Sequence, residues 1–165
     1  MASRNSPGGG YIAGSGAQEE NLHRRTSLFH CLEDPYRLDS QRNWSYPLPE
    51  FGGAYSPNVP TFRSAESKGY AFLPEVEFLS FVSVAAYSNP STHTPSNSKE
   101  ELLTSKVAQD TKRKIKAIFS IALEYGHDAI VLSAFGCGAY RNPPAHMARL
   151  FSEVIKQEKY DQQIS

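Results

Sequence analysis

Two adjacent glutamates, Glu19 and Glu20, and two glycine-rich turns, Gly8-Gly9-Gly10 and Gly136-Cys137-Gly138, are the parts of this 165-residue chain whose residue types suit catalysis on an anionic ligand. Glycines let successive main-chain N–H groups approach an anion closely, and the N-terminus of a following helix adds its positive dipole end. The run Phe135-Gly136-Cys137-Gly138-Ala139-Tyr140-Arg141-Asn142 therefore suits a diphosphate. A strand-to-helix turn that needs glycine for steric reasons alone is the competing explanation. Three consecutive glycines at 8–10 cost backbone entropy without packing return, as expected where a ligand lies against the main chain. A flexible leader is the plainer reading of the same residues. Neighbouring residues at a helix start project about 100° apart, so Glu19 and Glu20 cannot face one reacting bond at equal distance. One can act in acid–base chemistry while the other holds substrate or backbone; alternatively, both simply complement the helix dipole.

Other chemistries find little footing. The second turn lacks the G-x-G-x-x-G spacing and an acid at the ribose-binding distance, and no Gly-Lys-Ser or Gly-Lys-Thr follows a glycine loop, which disfavours dinucleotide dehydrogenase and P-loop readings. Five dispersed histidines offer no His-x-x-x-His metal pair, and no cofactor is implied. Cys31 and Cys137 are too few for a disulfide scaffold and fit a reducing compartment; Cys137 has no identifiable general base beside it. Seventeen Lys plus Arg balance seventeen Asp plus Glu, so no uniform field draws nucleic acid or anionic lipid, and a ligand phosphate must be held by local geometry. The start lacks the apolar core of a signal peptide, and no run nears the roughly 18 apolar residues of a membrane span. A soluble, intracellular protein is expected, cytoplasmic or nuclear.

The elements that must position these groups follow from pattern. Leu22, Thr26 and Phe29 recur near helical spacing, with acids before and arginines after, which predicts a helix over about 19–31. Residues 33–70, with Pro35, Pro47, Pro49, Pro57 and Pro60 among aromatics, read as ordered loop with a short edge strand at 59–63. The β-branched and aromatic run 76–86 predicts a buried, central strand, followed by a polar loop at 89–98. Leu103, Val107, Thr111, Ile115, Ile118, Phe119 and Ala122 mark one face of a long helix, with Ser98 as its cap and Gly126 at its end. Residues 129–135 predict a compact apolar strand, and Pro143-Pro144 open a last helix with Met147, Leu150, Phe151, Val154 and Ile155 on its apolar face. Helix, strand, glycine turn and helix in that order imply a single α/β domain with a mostly parallel sheet, its ligand at a strand's carboxyl end.

The ordered set Gly8-Gly9-Gly10, seven intervening residues, Gln18-Glu19-Glu20, then Arg24-Arg25-Thr26-Ser27-Leu28 resembles the microbial-type poly(ADP-ribose) glycohydrolase (PARG) family, whose catalytic unit is a macrodomain. Residues 56–63 resemble its middle segment, and 136–143 its diphosphate-binding loop, so the likeness runs along nearly the whole chain. The resemblance implies a macrodomain-like mixed, mostly parallel sheet flanked by helices, short of leading strands, with about four strands where the family has about six. Only four residues precede Asn5, where the family has a strand leading into the glycine loop, which reads as a shortened or fragmentary domain. It further implies hydrolysis of ribose–ribose O-glycosidic bonds in poly(ADP-ribose), with Glu20 as catalytic acid and Glu19 at the adjoining ribose. Gly8, Gly9, Gly10 and Gln18 would line the ribose end, Gly136, Cys137, Gly138 and Ala139 the diphosphate, and Tyr140 would pack on the ligand. Poly(ADP-ribose), ADP-ribose or ADP-ribosylated proteins are the implied partners, without membrane or sequence-specific nucleic acid. A non-catalytic ADP-ribose-binding module is the alternative, and a purely structural interaction domain the third reading.

Overall fold

The computed structural model describes residues 2–164. Helices α1 (Gln18–Arg25) and α2 (Leu28–Glu33) are followed by strands β1 (Ala54–Arg63) and β2 (Phe72–Ser83), the short strands β3 (Thr92–His93) and β4 (Leu102–Leu103), and helices α3 (Ser105–Glu124) and α4 (Pro144–Gln157). The macrodomain-like α/β architecture stands. The ladders that form among the described residues are, however, two antiparallel pairs, β1–β2 and β3–β4, where a mostly parallel sheet was expected.

The long helices form where their periodicity places them. Thr111, Ile115, Ile118, Phe119 and Ala122 of α3 are buried against Met147, Leu150 and Val154 of α4, and Phe119 stacks on Tyr160 at 4.7 Å between centroids. Proline at the first position of α4 has no N–H to leave unsatisfied, and Gly126, at φ +74°, takes the left-handed turn just past α3. Ile115 is fully buried, so Ile115→Val is expected to cost about 1 kcal/mol in urea unfolding, the transfer and cavity cost of one methylene, with no change in the glycine turns.

Five expectations are corrected. The single helix over 19–31 is two, broken where Thr26 pairs with Thr61 in an isolated bridge and its Oγ1 both donates to Leu22 O and accepts from Leu28 N. The loop with a short strand at 59–63 is a ten-residue strand from Ala54, irregular between Ser56 and Val59, where Pro57 sits, and again near its end, while Pro60 stays in register opposite Phe78. β2 is not central: it pairs with β1 alone, and Phe72, Val76, Phe78 and Leu79 are exposed. Ser98 does not cap α3, which begins at Ser105; Leu103 lies in β4 and not on the helix. Finally, residues 129–135 are not a strand: they have no ladder partner among the described residues, and Val131 is fully exposed.

Candidate active site

The two glutamates sit one after the other at the start of α1, and both are buried, Glu19 at 5% exposure and Glu20 at 9%. What holds them is the first glycine turn. Gly8 N–H donates to Glu19 Oε1 at 3.0 Å, Ser3 N–H to Glu19 Oε2 at 2.6 Å, and Gly10 N–H to Glu20 Oε1 at 3.2 Å. Gly8 and Gly9 take positive φ, +76° and +50°, and a Cβ on Gly9 would lie 2.9 Å from Glu20 Oε1. Glycine is therefore required here because the chain turns left-handed directly against a carboxylate. The amides expected to line a ribose are partly occupied by the protein's own acids.

The second carboxyl oxygen of Glu20 stands apart: Oε2 is buried and has no partner among the described residues. A buried carboxyl oxygen without a protein donor is costly unless a ligand or water meets it. Glu19 differs, with both oxygens engaged. Burial, opposed by the Ser3 and Gly8 donors and assisted by nearby Glu20, pushes the Glu19 carboxyl from its ordinary 4.5 up to about 7. The folded protein thus holds a proton that the unfolded chain releases. Glu19's contribution is fully present below about pH 4.5 and is lost as pH rises through about 7. Urea midpoints are therefore expected to fall between pH 5 and pH 8, and Glu19→Gln should flatten that slope.

Four further residues shape this end of the site. His23 is buried beneath Gly8, where a Cβ would meet its ring at 2.7 Å; its Nδ1 pairs with Glu19 O at 2.9 Å, and burial lowers its pKa. The i, i+4 spacing of Glu19 and His23 on one helix face is the signal that could have found it. Arg24 donates to Tyr11 O at 2.9 Å and Ser15 O at 2.5 Å, tying down the loop after the glycines. Tyr11 packs between His23 and Phe29, with ring centroids 5.5 and 5.8 Å away. Ser3 carries the main-chain link to Glu19.

The second turn lies close by. Tyr140, half-buried, has its phenol pushed up in pKa by burial and by Glu19, with a Ser3 hydrogen bond opposing. Gly136 takes φ +74°, and Cys137, Arg141 and Asn142 donate their N–H groups within the turn, to Ala134, Gly138 and Gly136. The amides of Gly138, Ala139 and Tyr140 have no acceptor among the described residues, and Gly138 and Ala139 are exposed. This is the half of the site with main-chain donors free for an anion. α4 starts only at Pro144, so several residues separate its N-terminus from those amides and its dipole adds less than expected. Asn142, missed as a site residue, is 2% exposed, and its Nδ2 donates to Tyr87 O, Gly136 O and Tyr140 O at 2.8, 3.0 and 3.3 Å. Cys137 is half-buried, its Sγ lies 3.6 Å from Phe135 O, and burial raises its pKa, the opposite of an activated thiolate. Gln18 opens α1 and accepts from Ser133 Oγ at 3.3 Å.

A cavity of about 260 Å³ adjoins Tyr140, lined also by Ser3, Arg4, Asn5 and Lys114. The larger cavity, about 630 Å³, is mainly apolar and meets the site only at Gln18, Glu19 and His23. Volume and chemistry therefore separate: the donors suited to an anion lie at the turns, not in the larger space. No group of His, Cys, Asp and Glu among the described residues is arranged to hold a metal, and no helix among them is long and apolar enough to cross a membrane.

The fold and site together define a macrodomain-like α/β protein with paired glycine turns around two carboxylates. Within that class the likeness is to microbial-type PARGs: residues 1–64 match the family described as the microbial-type PARG catalytic domain. The poly(ADP-ribose) glycohydrolase from Deinococcus radiodurans in complex with ADP-ribose is 29% identical, with a TM-score of 0.69 over 95% of this chain and 60% of that one. The enzyme from Thermomonospora curvata bound to the inhibitor ADP-HPD is 26% identical, with a TM-score of 0.66 over 92% of this chain and 54% of that one. The chain thus spans little more than half the length of these structures. No curated protein matches it.

Proposed function

We propose that the chain hydrolyses the ribose–ribose O-glycosidic bond of poly(ADP-ribose) and releases ADP-ribose. The observation that carries this reading is the Glu20 carboxyl, anchored at Oε1 by the Gly10 amide with Oε2 buried and unpartnered. The free amides of Gly138, Ala139 and Tyr140 receive the diphosphate, and Gly8 to Gly10, with Gln18, border the ribose. Tyr140 packs against the ligand, and Cys137 contributes a small side chain beside the phosphate. Glu20 then delivers its proton from Oε2 to the departing ribose oxygen as positive charge grows at the anomeric carbon. As carboxylate it takes a proton from the attacking water, which restores the acid. Glu19, held by two main-chain donors, fixes the turn and meets the adjoining ribose.

The neighbours' bound ADP-ribose and ADP-HPD support the choice of ligand. Free thiols at Cys31 and Cys137 support a reducing, intracellular setting, cytoplasmic or nuclear. Incubation with defined polymer, read as free ADP-ribose, tests the activity; calorimetry with ADP-ribose tests the site by itself. Binding without release of ADP-ribose would leave an ADP-ribose-binding module and remove the hydrolase. Absence of both would leave neither.

A further inference from the structure

Lys114 of α3 is buried, at 3% exposure, yet it forms no ion pair among the described residues. Its ammonium donates to Glu50 O at 2.5 Å and lies 4.4 Å from the centre of the Tyr87 ring. An ammonium carries three N–H donors, and two of these have no acceptor among the described residues. The Glu50 carboxylate is engaged elsewhere, its Oε1 accepting from the Tyr87 hydroxyl at 2.6 Å. A buried charge without a counter-charge is costly. Burial accordingly pushes the Lys114 pKa down, with Arg4 adding to the effect and Glu50 and Asp110 opposing it.

The same lysine lines the cavity of about 260 Å³ beside Tyr140. Arg4 lines it too, exposed and likewise without an ion pair among the described residues. Glu50 is the one acid among the lining residues, so two cations stand against a single carboxylate. At roughly 30 Å³ per water molecule the space is too large for one structural water. Two residues join it to the candidate site: Ser3, whose N–H holds Glu19, and Tyr140, whose amide is free. The free amides of Gly138, Ala139 and Tyr140 serve the diphosphate on one side of the scissile bond, so an anion in the cavity belongs to the other side. In a polymer the group on that side is another ADP-ribose, with a diphosphate of its own.

We propose that the cavity lined by Arg4 and Lys114 is a second phosphate subsite, which takes the diphosphate of the polymer unit beyond the scissile bond. Lys114 supplies a point charge, and Arg4 a planar fork of donors. A single ADP-ribose has no second diphosphate, so the subsite adds affinity for polymer alone. The inference rests on the hydrolase reading above.

Calorimetry on Glu20→Gln, which leaves the bond uncut, with ADP-ribose and with a two-unit ADP-ribose oligomer tests it. The oligomer is expected to bind about ten-fold tighter or more, the worth of one hydrogen bond to a charged group. In that background Lys114→Met, which replaces a buried charge by an apolar chain, should remove most of the advantage and leave ADP-ribose affinity as it was. Arg4→Gln, at an exposed side chain that the fold does not depend on, should do the same. Equal affinity for the two ligands, or an advantage that survives both substitutions, would overturn the inference. Inorganic phosphate added with the oligomer bound should leave the urea midpoint unchanged; a Lys114-dependent rise would assign the cavity to free phosphate and overturn the polymer subsite. A wild-type chain that shows the oligomer's advantage and releases no ADP-ribose would remove the hydrolase and leave the subsite, so the two failures are told apart.

Discussion

Glu20→Gln is expected to lower ADP-ribose release from polymer by about 10²–10⁴-fold, the usual range for removing a positioned general acid–base, while ADP-ribose affinity changes little. The prediction is sharp because the substitution separates two jobs done by one side chain. Glutamine keeps a carbonyl oxygen able to accept from Gly10 N–H, the 3.2 Å bond that joins Glu20 to the glycine turn, so the turn should keep its shape. It loses the proton that the free oxygen would exchange. Glu20→Ala is a poorer test, because it also removes the Gly10 anchor and leaves a hole against a main chain that approaches within van der Waals distance of the carboxylate. Glu19→Gln should behave differently. Both Glu19 oxygens accept main-chain hydrogens, so replacing one with an NH₂ sets donor against donor at Ser3 or Gly8. Its expected signature is a disordered turn, weaker ADP-ribose binding and an altered stability–pH slope. Turnover by Glu20→Gln comparable with wild type would take Glu20 out of the acid role.

The contrast between the glutamates shows how far the sequence could be read. Their adjacency at a helix start, the nearby triple glycine and the later Gly-Cys-Gly were all visible, as were α3 and α4, whose apolar residues keep the helical period through Ile115, Ile118, Phe119 and Ala122 and through Met147, Leu150 and Val154. What pattern could not show was which groups pair over long separation. Pro57 and Pro60 read as loop because proline cannot donate to a ladder, yet β1 takes in both, Pro57 at an irregularity and Pro60 in register opposite Phe78. Thr26 looked like one more turn of helix until its hydroxyl found Leu22 and Leu28 and its backbone met Thr61. Residues 129–135 have strand composition, but a strand is a relation between two backbones, and their propensity has no neighbour to act on. The glycines expected to admit a ligand also have a reason within the fold. Gly8 and Gly9 turn toward the protein's own carboxylates, and Gly136 makes room for Asn142.

That last contact carries the second large effect: Asn142→Ala is expected to destabilise the protein by about 1–3 kcal/mol, the cost of leaving an acceptor unsatisfied, and to weaken ADP-ribose binding at the same time. Its Nδ2 reaches the carbonyls of Tyr87, Gly136 and Tyr140 from a position that is 2% exposed. Gly136 O would still accept from the residue 142 main-chain N–H and Tyr140 O from Asn89 N–H, whereas Tyr87 O would lose its side-chain donor. Asn142→Asp should be worse, because a carboxylate would face three carbonyl oxygens. Gly136→Ala attacks the same junction from the other side. Its φ of +74° is strained for alanine, and the new Cβ would lie 2.5 Å from Asn142 Nδ2 and 2.8 Å from Ala86 Cβ. Because the methyl group would displace the very amide that Asn142→Ala deletes, the double variant should cost measurably less than the sum of the single ones, whereas independent sites more than about 7–10 Å apart would add. Chemical denaturation of the four proteins of that cycle, with ADP-ribose calorimetry on each, checks it. Strict additivity would mean that the turn is held by something other than the asparagine amide. Coupling would show that one buried side chain holds the exposed amides of Gly138, Ala139 and Tyr140 in the shape that an anion meets.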